Sequence, residues 1–188
     1  MRNESDVARL AEFERVYDAY RSRVHAYCAR RRSLTDAADA VSETFLVAWR
    51  RLDALPDEPD TLPYLYGIAS RVISNQRRSE GRRSKLTRAL RGLGVTPSID
   101  PMTVVVRRSQ DVEVANAVRR LKATDREIVM LYAWDGLPRE QIAQLMGMSK
   151  PAVDQRIHRA YKRLARTLKP TNTDHTNTRS IAKKRGGA

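Results

Sequence analysis

The 188-residue chain predicts an all-α fold: two small helical domains joined by a flexible linker, the second containing a helix-turn-helix. Three observations carry that expectation. Apolar residues recur at spacings of three and four along most of the chain, the period of one helix face. The stretch Gly92 to Asp100 (GLGVTPSID) interrupts that period with glycine and proline and reads as linker. The stretch Gly136 to Leu164 has the layout of two short helices about a glycine turn. The expected spans are 1–85 for the first domain, 86–110 for the linker, 111–169 for the second domain and 170–188 for a basic tail. That tail is too poor in apolar residues to pack and is expected to be disordered.

The first helix is expected over about Val7 to Arg31, on the stripe Phe13, Val16, Tyr17, Tyr20, Val24 and Tyr27. Cys28, the one cysteine, falls on the same stripe, so core packing suits it better than metal binding. With His25 it offers two ligands where a structural zinc site wants four, and no disulfide within the chain can form. A second helix starts near Thr35, with Thr35 or Asp36 as cap, and buries Ala38, Val41, Phe45, Ala48, Trp49 and Leu52. Asp36, Asp39 and Glu43 sit together off that stripe. Pro56, Pro59 and Pro63 then make a loop before a third helix, which carries Leu65, Ile68, Ala69 and Val72 and runs to about Arg83. Asn75, Arg78 and Arg82 project from its far end. In the second half, Thr124 and Glu127 match a capping box opening the helix of Ile128, Leu131 and Tyr132, and Trp134-Asp135-Gly136 closes it. Trp49 and Trp134 are expected to anchor core rather than stack on bases. Tyr64 and Tyr66 suit base stacking and helix packing equally.

The helix-turn-helix can be read residue by residue. Its first helix spans about Pro138 to Leu145, with Pro138 at the first helical position, where a missing N–H costs nothing. Gly147 makes the turn, Ser149 caps the next helix, and Pro151 is tolerated in its first turn. Val153, Ile157, Ala160, Tyr161 and Leu164 form the buried stripe. Ala152, Gln155, Arg156, Arg159 and Arg163 form the opposite one, with Asp154 between them. Such a face fits a DNA major groove, where arginine pairs two-pronged with guanine and glutamine with adenine. The plainer alternative is a solvated basic face on an ordinary helical hairpin.

Charge favours a polyanionic partner. The 36 basic and 22 acidic residues give a formal charge of +14, a field that attracts nucleic acid and makes binding salt-dependent. From Arg71 to Arg91 eight basic residues face only Glu80, and from Lys150 to Lys169 seven face only Asp154, so two separate basic surfaces are implied. No apolar run is long enough to span a membrane and the N-terminus lacks a signal-peptide core, so a cytoplasmic protein without membrane insertion is expected. The acidic group Asp36, Asp39 and Glu43 stands against this background and has three readings. It meets a helix dipole, it holds a divalent metal for phosphodiester cleavage, or it docks a basic partner protein. No phosphate loop, HExxH or triad spacing supports an enzyme, and no cofactor or metal is expected.

Three segments in order, TDAADAVSETFLVAW (35–49), YLYGIASRVISNQRR (64–78) and the helix-turn-helix with Val153, Arg156, Arg159 and Ala160, make the chain resemble the extracytoplasmic-function (ECF) RNA polymerase sigma factors over about residues 10–168. The resemblance implies an initiation factor with no catalysis of its own. It implies docking on core RNA polymerase through Asp39, Ser42, Glu43 and Leu46, and a hold on the −10 promoter element as single strand through Tyr64, Arg71, Asn75, Arg78 and Arg82. It further implies reading of the −35 duplex through Lys150, Ala152, Gln155, Arg156, Arg159 and Arg163, with an anti-sigma factor as a further partner. The sequence departs from the family where Ala38 and Ser42 replace Glu and Gln, Arg71 replaces Asn and Tyr64 replaces Trp. It departs again in Pro138 and in the unusual recognition helix of Pro151, Ala152, Asp154 and Gln155. A helix-turn-helix regulator that does not replace a sigma factor, and a helical RNA-binding adaptor, are the alternatives.

Overall fold

A computed structural model describes residues 4–91 and 109–168, and the side chains of 5–84 and 112–168 within them. The expected tail and most of the expected linker lie outside the described residues. The described residues form seven α-helices and one 3-10 turn: α1 (Glu4–Ala29), α2 (Leu34–Arg50), the turn Leu52–Ala54, α3 (Thr61–Arg91), α4 (Ser109–Arg119), α5 (Ala123–Ala133), α6 (Arg139–Met146) and α7 (Lys150–Thr167). No strand occurs among the described residues.

The helices α1, α2 and α3 pack on one another around Val24, Tyr27, Cys28, Ala37, Ala40, Phe45, Ala48, Leu65, Ala69 and Val72. Small residues at Ala37, Ala40 and Ala48 let α2 approach its neighbours closely, and aromatic rings fill the remaining space. Phe13 meets Phe45 and Trp49 edge-on, while Tyr27 and Tyr66 lie parallel with centroids 4.5 Å apart. Such ring pairs add about 0.5–1.5 kcal/mol beyond the area they bury. Tyr66 is thereby committed to the core, which settles one of the two tyrosines left open by the sequence. Burial pushes the Cys28 thiol up to about 11, consistent with packing rather than reactivity.

In the second half α4, α5 and α6 surround α7. Ala117, Val118, Leu121, Val129, Ala160 and Leu164 form a small core of their own. Ile128, Leu131, Leu137, Ile142, Val153 and Ile157 instead join the core of α1–α3, so the apolar interior is continuous across both halves. The helix-turn-helix has the local chemistry its sequence specifies. Gly147 adopts φ 63°, and the Met148 and Gly147 N–H groups donate to the Ala143 and Gln144 carbonyls at 2.9 and 3.2 Å, ending α6. Ser149 Oγ accepts from the Ala152 N–H and starts α7.

Several sequence expectations need correction. The cap of α2 is Ser33, whose hydroxyl accepts from the Asp36 N–H, rather than Thr35 or Asp36. Thr124 and Glu127 do not form a capping box: α5 begins after Lys122 without a side-chain cap, because Glu127 is drawn across to α1. Pro138 is the residue before α6 and not its first helical position. Tyr161 and Trp134, expected in the core, are 43% and 42% exposed. Trp49 is half-buried between Phe13 and the Arg9 guanidinium. The third helix continues past Arg83 to Arg91.

Candidate functional site

The acidic side of α2 is built by helix phase. Asp39, Ser42, Glu43 and Leu46 stand at i, i+3, i+4 and i+7 and are all exposed, with Leu46 48% exposed despite being fully apolar. Glu43 accepts from Gln76 Nε2 at 3.2 Å, and Ser42 Oγ donates back to the Ala38 carbonyl at 3.1 Å. Asp36 is absorbed elsewhere, bonded to Ser33 Oγ and paired with Arg32 at 3.3 Å, as expected of an acid in a first helical turn. Among the described residues no group of three or more His, Cys, Asp or Glu side chains could hold a metal ion. The face thus pairs two carboxylates with one unpartnered leucine, a combination suited to a protein surface carrying basic and apolar groups.

Along α3, Arg71, Asn75, Arg78 and Arg82 are exposed on the solvent side, while Leu65, Ala69, Val72 and Ile73 face the core. Arg78 Nη2 donates to Asn75 Oδ1 at 2.6 Å, which orders two neighbouring groups of that row. Two bonds fix the far end of α3 to the α1–α2 turn: Arg77 Nη2 donates to the Arg31 carbonyl at 2.7 Å, and Arg32 holds Glu80 with both terminal nitrogens. Tyr64 is half-buried. It and Arg71 line a cleft of about 460 Å³ between α3 and α6, which Gly67, Leu145 and Met146 also line.

Helix α7 presents Gln155, Arg159 and Arg163 exposed and Ala152 half-exposed, all opposite Val153, Ile157 and Ala160. Its cations are not equally available. Arg156 donates to Asp125 at 2.7 Å, and Lys150 pairs with Glu140 at 2.5 Å. Arg159 and Arg163 have no carboxylate partner among the described residues. Asp154 pairs with Arg139 at 3.4 Å, so its charge is partly neutralised at the edge of the basic stripe.

A seam joining the two halves escaped the sequence reading. Arg31, 7% exposed at its side chain, donates from Nε and Nη2 to Glu127 and from Nη2 to Asp135 at 3.1 Å. Its guanidinium carbon lies 3.5 Å from the centre of the Tyr27 ring. Arg30 also pairs with Asp135, whose side chain is fully buried. Burial works against the Arg31 charge, but Tyr27, Glu127 and Asp135 outweigh it and hold the guanidinium above its usual range. Burial likewise raises the Tyr27 hydroxyl, which donates to Glu127 at 3.3 Å. Nothing local marks these residues: an Arg-Arg-Arg run and a Trp-Asp-Gly turn look solvated until the halves meet.

Two family models match the two halves of the chain. The sigma-70 region 2 model matches residues 16–83, which hold the α2 face and the α3 row. The sigma-70 region 4 model matches 111–164, which hold the helix-turn-helix. The chain belongs to the ECF-type RNA polymerase sigma factors. It is 29% identical over 179 residues to the ECF sigma factor BldN of Streptomyces coelicolor, across 88% of this chain and 68% of that protein. It is 30% identical to the probable sigma factor RfaY of Xanthomonas campestris over 69% of this chain, which spans only 33% of that relative. The fold is also that of the sigma factor RpoE solved in complex with the anti-sigma factor NepR from Bartonella quintana. There the TM-score is 0.64 at 22% identity, over 85% of this chain and 98% of that one. No helix among the described residues is long and apolar enough to cross a membrane.

Proposed function

We propose that this ECF sigma factor binds core RNA polymerase and directs it to promoters by holding the −10 element as single strand and the −35 element as duplex. The observation that carries this reading is the presence of region 2 and region 4 in one chain, each with its own basic helix. Asp39, Ser42, Glu43 and Leu46 dock the polymerase. Arg71, Asn75, Arg78 and Arg82 neutralise phosphates of the melted strand, and Tyr64 offers a ring for a base. Lys150, Ala152, Gln155, Arg156, Arg159 and Arg163 enter the −35 major groove. Two weak sites on one chain raise each other's effective concentration, so binding demands both elements at one spacing. RNA synthesis belongs to the polymerase, and no catalytic step falls to this chain. An anti-sigma factor is the proposed regulator, a reading supported by the RpoE–NepR complex.

Runoff transcription with purified core enzyme and genomic promoter fragments tests the proposal. A sigma factor confers initiation on otherwise inactive core. A helix-turn-helix regulator gives transcripts only when another sigma factor is present, and it would also leave the region 2 match without a use.

A further inference from the structure

We infer that Glu80 is a positioning residue for the −10 strand: gripped by Arg32, it holds the protruding end of α3 that carries Asn75, Arg78 and Arg82, so that the sole acid of a basic segment strengthens the hold on DNA. The inference rests on the proposed role of α3. From Arg71 to Arg91 Glu80 is the single acid, and by charge alone it should repel phosphate. Helix phase turns it away from the row, since about 200° of helix separates it from Arg78 and from Arg82. That phase brings it to the turn between α1 and α2, where Arg32 Nη1 donates to Glu80 Oε2 at 3.1 Å and Nη2 donates to Oε1. Arg32 is itself fixed, with a side chain 7% exposed and paired with Asp36 at 3.3 Å. Its Nε is buried without a hydrogen-bond partner among the described residues, so the carboxylates at its tip are what offsets its desolvation.

This stretch of α3 needs a hold from outside the helix. Ile73 is its last buried residue among the described side chains, and from Ser74 to Ser84 none is buried. Local propensity gives little support. Gly81 and the serines 74, 79 and 84 are poor helix formers, and Arg78 and Arg82 repel each other at i, i+4. Among the described residues, hydrogen bonds tie the stretch to the rest of the fold through Gln76 to Glu43 at 3.2 Å, Arg77 to the Arg31 carbonyl at 2.7 Å, and Glu80 to Arg32. Gln76 and Arg77 both precede Arg78, so Glu80 is the tie that falls between Arg78 and Arg82. It stands about 10 Å along the axis beyond Ile73. A planar fork of two nitrogens on two oxygens fixes direction as well as distance, which a single bond does not.

The test uses the full chain and labelled single-stranded DNA of random sequence, about twelve nucleotides long, with affinity read by fluorescence anisotropy at low salt. Glu80→Gln removes a negative charge, so electrostatics without positioning predicts tighter binding. Positioning predicts the opposite sign, a loss of about threefold to tenfold. Asp18→Asn makes the same charge change at an exposed position of α1 and should bind no more weakly than the parent. In an Arg32→Gln background Glu80→Gln should have no further effect, because its partner is already gone. Gly81→Ala, where an added Cβ meets nothing within 4 Å, should recover the Glu80→Gln loss on the order of twofold or more by stiffening the same stretch. Amide exchange over residues 76–84 should quicken in Glu80→Gln and slow again with Gly81→Ala. Binding by Glu80→Gln as tight as or tighter than Asp18→Asn overturns the inference, and so does an equal loss with and without Arg32. If exchange quickens as expected while Arg78→Ala with Arg82→Ala leaves strand affinity unchanged, the tie stands, and the reading of α3 as the strand site fails and takes the inference with it.

Discussion

Salt dependence distinguishes the cations of α7 by how the fold employs them. Arg159 and Arg163 are exposed and without carboxylate partners among the described residues, whereas Lys150 and Arg156 are held by Glu140 and Asp125. A cation that is already paired must give up its partner to reach phosphate, so its net counterion release is smaller. Each phosphate neutralised contributes about 0.9 to the slope of log affinity against log salt. Arg159→Ala with Arg163→Ala should therefore flatten that slope by about 1.8 if both reach phosphate. Between about 50 and about 200 mM salt the advantage of the parent protein over this variant should then shrink about twelvefold. Fluorescence anisotropy on a −35 duplex, titrated at four or five salt concentrations, measures this directly. Lys150→Ala should change the slope less, and Asp125→Asn should steepen it by releasing Arg156. If Lys150→Ala flattens the slope as much as the double Arg variant, pre-paired and free cations behave alike and the reasoning fails.

Charge reversal at Asp39→Arg with Glu43→Arg should abolish co-elution with core polymerase while changing the unfolding free energy in urea by no more than the small range of ordinary surface changes, about 0.5 kcal/mol, because both side chains are exposed. Retained core binding would reduce the acidic face to a solvated helix surface. Gly147→Ala should destabilise the protein by about 1–2 kcal/mol in urea unfolding, since φ 63° places a Cβ against the backbone carbonyl even though the space around it is open. Cys28 should resist alkylation in the folded protein at neutral pH and react fully in denaturant, because its thiol is buried and its pKa pushed up to about 11. The sign follows from linkage: the unfolded chain loses the thiol proton first, so this group's contribution to stability is complete below pH about 9 and is lost as pH rises through about 11. Unfolding midpoints measured for Cys28→Ser and the parent across that window should differ less as pH climbs.

Local chemistry was the legible part of the sequence. The end of α6 at Gly147, the Ser149 cap and the buried stripe Val153, Ile157, Ala160 and Leu164 depend on residues within a few positions of one another. Each could be read from spacing alone. The exposed phase of Asp39 and Glu43 followed from the same period, once Phe45 and Ala48 were placed inside, whereas Ser42 and Leu46 entered only through the family resemblance. Two of the misreadings concern residues whose partner lies in the other half. Glu127 has the spacing of a capping residue, yet a buried Arg31 offers it a stronger partner, with two nitrogens and little competing water. Asp135 looked like part of a closing turn and is the most buried carboxylate of the seam. Tyr161 fits the α7 stripe by phase but sits at its edge, where it lines an open pocket with Tyr132 and Arg139 and stays 43% exposed. Periodicity reports which side of a helix is apolar; it does not report how far the neighbouring helix extends.

The turn between α1 and α2 has a consequence for how the two halves communicate. Arg31 uses its side chain to hold Glu127 and Asp135 and its carbonyl to hold Arg77, while the adjacent Arg32 holds Glu80. One corner of the backbone is thus both the hinge pin of the second half and the mounting of the α3 shaft. A displacement at that corner would reach the arginine row and the seam together, because Arg31 and Arg32 are bonded to both.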